Sequence, residues 1–592
     1  MQQLTKEMSI EKQISEMSLA QKVGQMTMGE RMHVTPQDVR DYFLGSVLSG
    51  GGSHPGDSTA EDWAQMNDEY WEATMGDGGF GIPILFGVDA VHGHNNLKNA
   101  TIFPHNIGWG AARDPELMRR YSEVTAKEIL ASGIEWNFAP TLAVVQDPKW
   151  GRTYEGFGND PVLCGEYGKA YVEGHQGSTP ADGVIACVKH WVGDGGTLHG
   201  IDQGETSLPF EELEATHISP YYPALESGVL SVMVSFNSWN GDKCHGHKQL
   251  VTDVLKEKLE FDGIVVSDWD GIDYLDDDYD VAVRLSVNAG IDMFMVPDKW
   301  KQFIEAAIRQ VEEGHIPESR IDDAVRRILS VKSRYGLFSK PRPSERFNTD
   351  ASVVGTEAHR AVAREAVRKS LVLLKNDDAT LPVSADKRIL VAGKSANSLG
   401  NQCGGWTLSW QGLSDNPEVV GTSVWEGIAA IAPGAELSAD LSGSEADPEK
   451  HDVAIVVIGE TPYAEGFGDI RPDDNVLIEA GSMIKGSMNP LEPYARSQVA
   501  AEIHPEDLAC IERIAATGVP VVAIMISGRP LVVDRELDAA SAFVAAWLPG
   551  SEGAGIAEVL TGQSDFTGRL PMPWPREAGE FPAGYGLGYG KG

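Results

Sequence analysis

Residues 263–273 read GIVVSDWDGID, an apolar run that leads directly into three aspartates within six positions. A tryptophan, Trp269, stands between Asp268 and Asp270. Carboxylates this close repel one another and raise one another's pKa unless something compensates for the charge. The stretch therefore predicts a buried strand whose acidic end is either well solvated or used by the protein.

Five further short apolar runs lie between residues 80 and 340, separated by longer amphipathic segments: ILFGVDAV (84–91), IEWNFAP (134–140), VIACVKH (184–190), VLSVMVSFNS (229–238) and GIDMFMV (290–296). One helical segment, PELMRRYSEVTAKEILASG, has Asp114 as its N-cap and Pro115 at the first helical position. Strand and helix in alternation predict a parallel sheet, whose commonest closure over roughly 300 residues is a (β/α)8 barrel. Residues 1–338 are accordingly predicted to form a TIM-like barrel.

The pattern breaks at GLFSKPRPSERFNTD (336–350), where two prolines and mixed charges indicate a linker, which we place at 339–355. A long helix, TEAHRAVAREAVRKSLVLLKN, is predicted next. Four apolar strands follow: RILVAGKS (388–395), HDVAIVVIGE (451–460), VPVVAIMISG (519–528) and SAFVAAWLPG (541–550). Strands that are apolar on both faces are typical of an open α/β sheet, so residues 356–592 are predicted to form a second, α/β sandwich domain.

The composition limits the class of partner and the compartment. A formal net charge of −39 on 592 residues would repel phosphate backbones and anionic lipid headgroups, so we expect neither nucleic acid nor a membrane as partner. No apolar stretch reaches the roughly 18 residues of a membrane span. The charged N-terminus lacks the apolar core of a signal peptide. We expect a cytoplasmic protein as the sequence stands, or a periplasmic or secreted one if a leader has been removed.

Cofactor and metal patterns are missing from the sequence. The five cysteines include no C-x-x-C pair, which argues against a disulfide framework and a zinc site. The glycine-rich strings WVGDGGT and AGKSANSLG match neither nucleotide-binding pattern. A calcium loop in DWDGID is disfavoured because an EF-hand needs glycine at its sixth position, and here Gly271 is fourth. We expect no cofactor.

Polar side chains gather at the ends of the predicted strands. In a (β/α)8 barrel the residues just past the C-terminal ends of the strands converge on one rim, where such barrels carry their active sites. An aspartate at one such junction is more often a helix N-cap, but polar residues after five strands are harder to explain that way. Charged side chains beside an aromatic ring suit a sugar, because its hydroxyls need donors and acceptors while its C–H face packs on the ring. The residues at the strand ends are Asp89, Arg152, Lys189, His190, Asn237, Asp268 and Trp269.

These residues lie in strings that closely resemble family 3 glycoside hydrolases, specifically the two-domain β-glucan glucohydrolases and β-glucosidases. The resemblance follows the whole chain in order. The strings are GVDAVHGHNN (87–96), QDPKWGRTYEGFGNDP (146–161), CVKHWVGDGGT (187–197), VMVSFNSWNG (232–241), GIVVSDWDGID (263–273), GGWTLSWQG (404–412), VVIGETPYAEGFGD (456–469), ISGRPLVV (526–533) and AAWLPGSEGAGIAEVL (545–560).

The resemblance implies exo-acting, retaining hydrolysis of β-linked glucose oligosaccharides or polysaccharides. The aspartate of the SDW string is the nucleophile of that family, which assigns this role to Asp268. The acid/base is expected to be a glutamate of the second domain, Glu465 in PYAE rather than Glu460 in IGE. Asp89, Arg152, Lys189 and His190 are expected to hold sugar hydroxyls, and Trp269, Trp406 and Trp410 to form an aromatic clamp.

The sequence also departs from that family. Phe236 stands where tyrosine is common, Tyr274 where arginine often follows the nucleophile loop, and Gln203 where a glutamate is usual, so contacts to the leaving group are expected to differ. The segment 469–507 is longer than the usual connection and is predicted to lid the pocket or contact a second subunit in a homodimer. A β-xylosidase of the same family and a catalytically silent sugar-binding protein are the alternatives.

Overall fold

Two sheets, each with its own hydrophobic core, organise the chain. The computed structural model describes residues 10–179, 183–414, 416, 419–471, 494, 497–577 and 579–588. The first core lies inside and around the first sheet. The second core surrounds the second sheet and also takes in side chains of the first half of the chain, such as Trp150 and Tyr154. The two halves therefore share apolar packing.

The first sheet is a closed parallel barrel of eight strands. The strands are β1 (Thr27–Glu30), β2 (Ser46–Ser49), β3 (Leu85–Val88), β4 (Trp136–Asn137), β5 (Ile185–Trp191), β6 (Ser231–Val234), β7 (Ile264–Val266) and β8 (Phe294–Met295). Each strand from β1 to β6 pairs in parallel with the next strand along the chain, and β8 pairs with β1. A bridge between Val266 and Met293 joins β7 to β8. The predicted (β/α)8 fold is confirmed.

The sequence analysis found six of these strands and missed β1 and β2. Both are four residues long, and every residue in them is buried. Their sequences, TMGE and SVLS, contain a glycine, a glutamate and two serines, so neither reads as an apolar run. The barrel environment fixes them as strands, because each lies between two parallel neighbours.

Helices cover the outside of the barrel. The Asp114 carboxylate accepts the backbone N–H of Leu117 at 3.0 Å, which confirms the predicted N-cap. Two stretches, Glu214–Ile218 and Gln249–Lys258, are π-helical. Residues 10–16 are helical, and the other α-helices in the described part of this half are Leu19–Gln25, Pro36–Tyr42, Ala60–Met75, Asn106–Ala112, Pro115–Ala131, Pro161–Gln176, Phe210–Leu213, Tyr221–Glu226, Tyr279–Ala289, Trp300–Glu312 and Glu318–Arg334.

The second sheet has six strands: β9 (Val372–Asn376), β10 (Ile389–Ala392), β11 (Glu436–Leu437), β12 (Val453–Gly459), β13 (Val521–Ile526) and β14 (Ala542–Trp547). Their spatial order is β9, β14, β13, β12, β10, β11, and only β9 runs antiparallel to its neighbour. The α-helices of this half are Glu357–Ser370, Leu399–Cys403, Val424–Ile431, Ala500–Ile503, Pro505–Ala515, Asp534–Ala539 and Ala554–Leu560. The α/β sandwich prediction is confirmed.

The predicted continuous helix over 356–376 is wrong at its C-terminal end. The helix ends at Ser370, and the next residues form β9 against β14. Leu371, Val372, Leu373 and Leu374 are all buried, and four consecutive buried side chains do not fit one face of a helix. An edge strand packed on both faces buries them all.

The stretch predicted as a linker lies against the barrel in short 3₁₀ turns, Pro343–Glu345 and Ala351–Val353. The backbone N–H of Ser344 donates to the Asp68 carboxylate at 2.9 Å. The segment 469–507 is described only at 469–471, 494 and 497–507, so its expected role as a lid lies outside the described residues. Among the described residues, no helix has the length and apolar character needed to cross a membrane.

Candidate active site

One cavity of about 410 Å³ lies at the C-terminal ends of the barrel strands, where the loops of the second sheet meet the barrel. Met233 and Met295, from β6 and β8, form part of its lining. Ten of the side chains that the sequence analysis singled out border this cavity, and Asn237 does not: the ten are Asp89, Arg152, Lys189, His190, Phe236, Asp268, Trp269, Trp406, Trp410 and Glu465. Residues far apart in the sequence are therefore brought to one place.

Asp268 follows β7 and presents its carboxylate to the cavity with 13% of the side chain exposed. Its Oδ1 accepts the backbone N–H of Trp269 at 2.7 Å, and its own N–H donates to His245 Nε2 at 3.0 Å. Within the described residues its Oδ2 has no hydrogen-bond partner. Burial raises the pKa of Asp268 to about 6, although Arg152 and Lys189 act in the opposite direction. The carboxylate is thus fixed through one oxygen and leaves the other available.

Arg152 and His190 form a pair beside this carboxylate, one charged and one neutral. The guanidinium makes two hydrogen bonds to Glu155, at 2.9 and 2.8 Å, and its Nη2 donates to His190 Nε2 at 3.2 Å. Since arginine cannot accept, His190 Nε2 must be the acceptor, and Nδ1–H then donates to Asp194 at 2.8 Å. Burial, followed by the charge of Arg152, lowers the pKa of His190. The imidazole is therefore uncharged and faces the cavity as an acceptor.

Lys189 supplies a second positive charge to the cavity. Its Nζ lies 3.0 Å from Asp89 Oδ1 and 6.0 Å from the centre of the Trp406 ring. Burial lowers the pKa of Lys189, but the carboxylates of Asp89, Glu155 and Asp268 together outweigh it, and the pKa is raised. Lys189 and Asp89 lie side by side at the ends of β5 and β3, where both can contact hydroxyl groups.

Glu465 reaches the cavity from the second sheet, on the loop that follows β12. Its backbone has φ +55°, the left-handed region that few residues other than glycine adopt. Its Oε1 lies 3.5 Å from Arg152 Nη1. Arg152 contacts His190, and His190 Nε2 lies 3.6 Å from Asp268 Oδ2, so three contacts link the two carboxyl groups. Burial raises the pKa of Glu465 to about 8, with Arg152 opposing.

Glu460, the other glutamate considered for this position, is turned away from the cavity. One carboxylate oxygen pairs with Arg529 Nε at 2.9 Å, and the other accepts from Tyr463 Oη and Gly528 N–H, each at 2.9 Å. Glu460 is 2% exposed and Arg529 is fully buried. Both carboxylate oxygens of Glu460 are therefore used to hold the base of the loop.

Glu460→Gln is expected to lower the free energy of unfolding by about 3 kcal/mol, because it leaves the buried charge of Arg529 without its partner. Glu465→Gln should change it by less than about 1 kcal/mol, since the Glu465 carboxyl already favours its uncharged form. Denaturant unfolding of both variants measures the difference. Equal losses of the free energy of unfolding would show that Glu460 stabilises the fold no more than Glu465 does.

The tryptophans line the mouth of the cavity, and glycines after β2 leave room for them. A Cβ on Gly50 would lie 2.8 Å from the Trp269 ring, and one on Gly51 would lie 3.2 Å from the Trp406 ring. Trp406 Nε1 donates to Glu155 Oε1 at 3.2 Å, and Trp406 N–H donates to the carbonyl of Trp410 at 2.8 Å. Trp406 and Trp410 thus belong to a turn.

Sequence reasoning missed a group of lining residues: Glu30, Met32, His33, Gly50, Gly51 and Ser53. They lie at or just after the C-terminal ends of β1 and β2, the two strands that were not recognised. Glu30 accepts hydrogen bonds from Ser53 Oγ and from the backbone N–H of Met32, both at 2.6 Å. The other site residues were predicted because they follow the C-terminal ends of barrel strands. The same rule would have predicted these residues if TMGE and SVLS had been recognised as strands.

Asn237 was expected at the rim but is not part of the cavity. Its amide group donates to the carbonyl of Val192 at 3.3 Å and to Thr206 Oγ1 at 3.2 Å, so it joins two loops outside the cavity. Its neighbour Phe236 does border the cavity, with its ring centre 5.7 Å from that of His245 and 6.3 Å from that of Tyr274. The aromatic ring gives this wall an apolar surface.

One group of side chains elsewhere in the described residues has metal-ligand composition: His504, Glu506 and Asp507. Lys394 Nζ lies 2.7 Å from Glu506 and 3.1 Å from Asp507. The ammonium group already supplies the positive charge these carboxylates need, so the cluster is an ion pair in the second half of the chain.

Comparison with known families agrees with the fold and the cavity. Residues 18–331 match the family described as glycosyl hydrolase family 3 N terminal domain, and residues 371–590 match the glycosyl hydrolase family 3 C-terminal domain. Together with the barrel and the acidic and aromatic side chains around its cavity, these matches define a glycoside hydrolase. The chain belongs to glycosyl hydrolase family 3.

Individual relatives are β-glucosidases and an exo-glucanase. A lysosomal beta glucosidase of Dictyostelium discoideum is 31% identical, over 92% of this chain and 68% of its own length. An exo-1,3/1,4-beta-glucanase from a Pseudoalteromonas species is 43% identical with a TM-score of 0.90, over 99% of this chain and 74% of its own. A beta-glucosidase from Listeria innocua, solved in complex with glucose, is 27% identical with a TM-score of 0.80, over 96% of this chain and 76% of its own.

Proposed function

We propose that the protein is a retaining, exo-acting β-glucosidase or exo-β-1,3/1,4-glucanase that releases glucose from the non-reducing ends of β-gluco-oligosaccharides or β-glucans. One observation carries the proposal: a single cavity holds the free Oδ2 of Asp268 and the buried carboxyl of Glu465. Their environments set the pKa of Glu465 above that of Asp268, which suits an acid beside a nucleophile. The relatives include β-glucosidases and an exo-glucanase, in support of this substrate class.

In the proposed first step, Asp268 Oδ2 attacks the anomeric carbon while Glu465 gives its proton to the glycosidic oxygen. The bond to the leaving sugar breaks, and a glycosyl ester forms on Asp268. In the second step Glu465, now a carboxylate, removes a proton from water, and the water oxygen attacks the same carbon. The carboxylate of Asp268 leaves, and the configuration at the anomeric carbon is retained. The barrel, proposed as 1–338, supplies the nucleophile, and the region 356–592 supplies the acid/base.

The remaining cavity residues are assigned to the sugar. Lys189 and Arg152 donate to hydroxyls, Asp89 accepts from them, and the uncharged His190 accepts through Nε2 when Arg152 turns to the substrate. The tryptophan faces at the mouth stack on pyranose C–H surfaces without fixing one linkage geometry. Met233 and Met295 lie in barrel strands and border the cavity on its barrel side. A cavity bounded on that side receives a sugar chain by its end, which favours exo-action.

Products from laminari- and cello-oligosaccharides test the proposal. We expect glucose as the only released monosaccharide from the first minutes, appearing as the β-anomer in proton NMR before mutarotation. An initial α-anomer would contradict retention. Early release of oligosaccharides from inside the chain would contradict exo-action.

A β-xylosidase from Formosa agariphila is 29% identical over 86% of this chain, which makes xylose the sugar to compare. Aryl β-glucosides and aryl β-xylosides separate the two activities, and we expect kcat/KM to favour the glucoside by about tenfold or more. A reversed preference would assign the chain to xylosides. No turnover of either would favour the sugar-binding alternative.

The pH dependence follows from the two carboxyl groups. The active form needs Asp268 ionised and Glu465 protonated, so kcat/KM should fall below a pKa of about 6 and above a pKa of about 8. Burial is the main cause of both elevated values. Initial rates on cellobiose, whose leaving group needs the proton, measure the profile across this range, and Glu465→Gln should remove the alkaline limb. An alkaline limb that persists in the variant would belong to another group.

A further inference from the structure

The loop that carries Glu465, residues 463–470, lies directly on the barrel. The Tyr154 hydroxyl donates to the carbonyl of Tyr463 at 2.7 Å, and the N–H of Ile470 donates to the carbonyl of Lys149 at 2.9 Å. Both barrel partners belong to the loop 147–155 after β4, which also carries Arg152. The two ends of the Glu465 loop are therefore tied to the barrel loop that binds its carboxylate.

Asp469 makes the central connection. It is 1% exposed, its Oδ1 accepts the N–H of Gly151 at 2.8 Å, and its Oδ2 accepts the N–H of Asp202 at 2.9 Å. Gly151 lies in the loop after β4, and Asp202 lies in the loop after β5. Trp150 Nε1 donates to Asp202 Oδ1 at 2.9 Å and joins these two barrel loops to each other. One carboxylate of the second domain thus holds two barrel loops in register with the Glu465 loop.

Gly151 makes a steric contact at the same junction. A Cβ at this position would lie 1.9 Å from the carbonyl oxygen of Glu465 and 2.9 Å from the backbone nitrogen of Asp469. These neighbours are main-chain atoms, which cannot rotate away as a side chain could. Only glycine allows the backbone of Glu465 to approach the residue that precedes Arg152.

We propose that Asp469 and Gly151 are positioning residues that set the distance between the Glu465 carboxyl and the sugar held by the barrel. The inference rests on the proposed role of Glu465 as acid/base. It adds that, besides the contact of its own side chain with Arg152, the acid is placed by backbone and carboxylate contacts between the two halves of the chain. A displacement of about 1 Å at a reacting group costs on the order of 10²-fold in rate, so a small loosening is measurable.

Two variants loosen the clamp by different means. Asp469→Asn keeps the side-chain volume but turns one acceptor into an NH₂ group that faces a backbone N–H. Gly151→Ala keeps every charge and pushes the Glu465 carbonyl away. In both we expect kcat/KM for cellobiose and laminaribiose to fall at least tenfold more than kcat/KM for 2,4-dinitrophenyl β-glucoside, because only the poor leaving group needs the proton. The alkaline limb of the pH profile should also move down, since a loosened Glu465 gains water contact and loses part of its raised pKa.

Asp507→Asn and Gly434→Ala are the matched controls. Asp507 is a buried aspartate of the same half that accepts the N–H of Gly459 at 3.0 Å, and a Cβ on Gly434 meets no atom within 4 Å. In each control, any loss of kcat/KM should be the same for the disaccharides as for 2,4-dinitrophenyl β-glucoside. Equal losses in Asp469→Asn or Gly151→Ala would overturn the inference. If Asp469→Asn does not fold, the inference is tested by the difference between the two substrate types in Gly151→Ala.

Glu465→Ala, measured in the same series, separates the inference from the function it rests on. If Glu465→Ala shows the difference between leaving groups and the clamp variants do not, the clamp is structural only. If Glu465→Ala itself shows no such difference, the acid/base assignment fails, and with it the inference.

Discussion

Asp268→Asn is expected to lower kcat by about 10³-fold or more on every β-glucoside, activated or not. The amide cannot form the glycosyl ester, and a good leaving group does not replace the nucleophile. The change is nearly isosteric, and the Oδ1 that accepts the N–H of Trp269 can keep an oxygen acceptor, so the loss should come without a loss of fold. Initial rates with 2,4-dinitrophenyl and 4-nitrophenyl β-glucosides give the measurement.

Asp270→Asn is the control for this change. Asp270 lies two residues further along and does not border the cavity. Its φ of +49° is left-handed, a region that asparagine also tolerates. We expect Asp270→Asn to retain activity within about tenfold of the wild type. Residual activity of Asp268→Asn at the level of this control would rule out Asp268 as the nucleophile.

Glu465→Ala is expected to depress kcat/KM for cellobiose and laminaribiose by about 10³-fold while leaving kcat/KM for 2,4-dinitrophenyl β-glucoside within about tenfold. An oligosaccharide departs as a sugar alkoxide unless it is protonated, whereas dinitrophenolate leaves unaided. Breakdown of the glycosyl ester also loses its base, so kcat for the activated glycoside should fall and a burst of dinitrophenolate should precede the slow steady state.

Added azide distinguishes a missing base from a damaged site. An anion that needs no deprotonation can enter the space left by the carboxyl group, attack the ester and restore kcat, with β-glucosyl azide as the product. The same experiment on Glu460→Ala, which leaves the same space, should show no rescue. Rescue of Glu460→Ala, with equal losses on both substrate types for Glu465→Ala, would transfer the acid/base role to Glu460.

The sequence predicted the barrel and most of the cavity for a definable reason. Strands β3 to β8 are apolar runs that end in polar residues, and the C-terminal ends of parallel strands share one rim. Asp89, Lys189 and Asp268 could therefore be placed together before any coordinates. Strands β1 and β2 lack apolar runs and were not predicted. The cavity residues at their C-terminal ends, such as Glu30 and Gly50, were therefore not predicted either.

Contacts between the two halves of the chain could not be predicted from the sequence. Asp469 reaches Gly151 across more than 300 positions, and its partners there are backbone N–H groups that any residue offers. Such contacts leave no periodicity or motif. The backbone conformations of Glu465 and Trp406, both at positive φ, also depend on this packing. For the same reason, the strand Val372–Asn376 was read as the end of a helix, because its partner β14 lies far along the chain.

Mass analysis after reaction with 2-deoxy-2-fluoro-β-glucosyl fluoride tests the central claim most directly. The fluorine slows both steps, while the activated leaving group lets the first step proceed, so the glycosyl ester should accumulate. We predict a gain of one fluorodeoxyglucosyl unit on the intact protein, carried by the peptide that contains Asp268 and lost on adding an acceptor sugar. A label on any other carboxylate, or turnover without a covalent intermediate, would contradict this account.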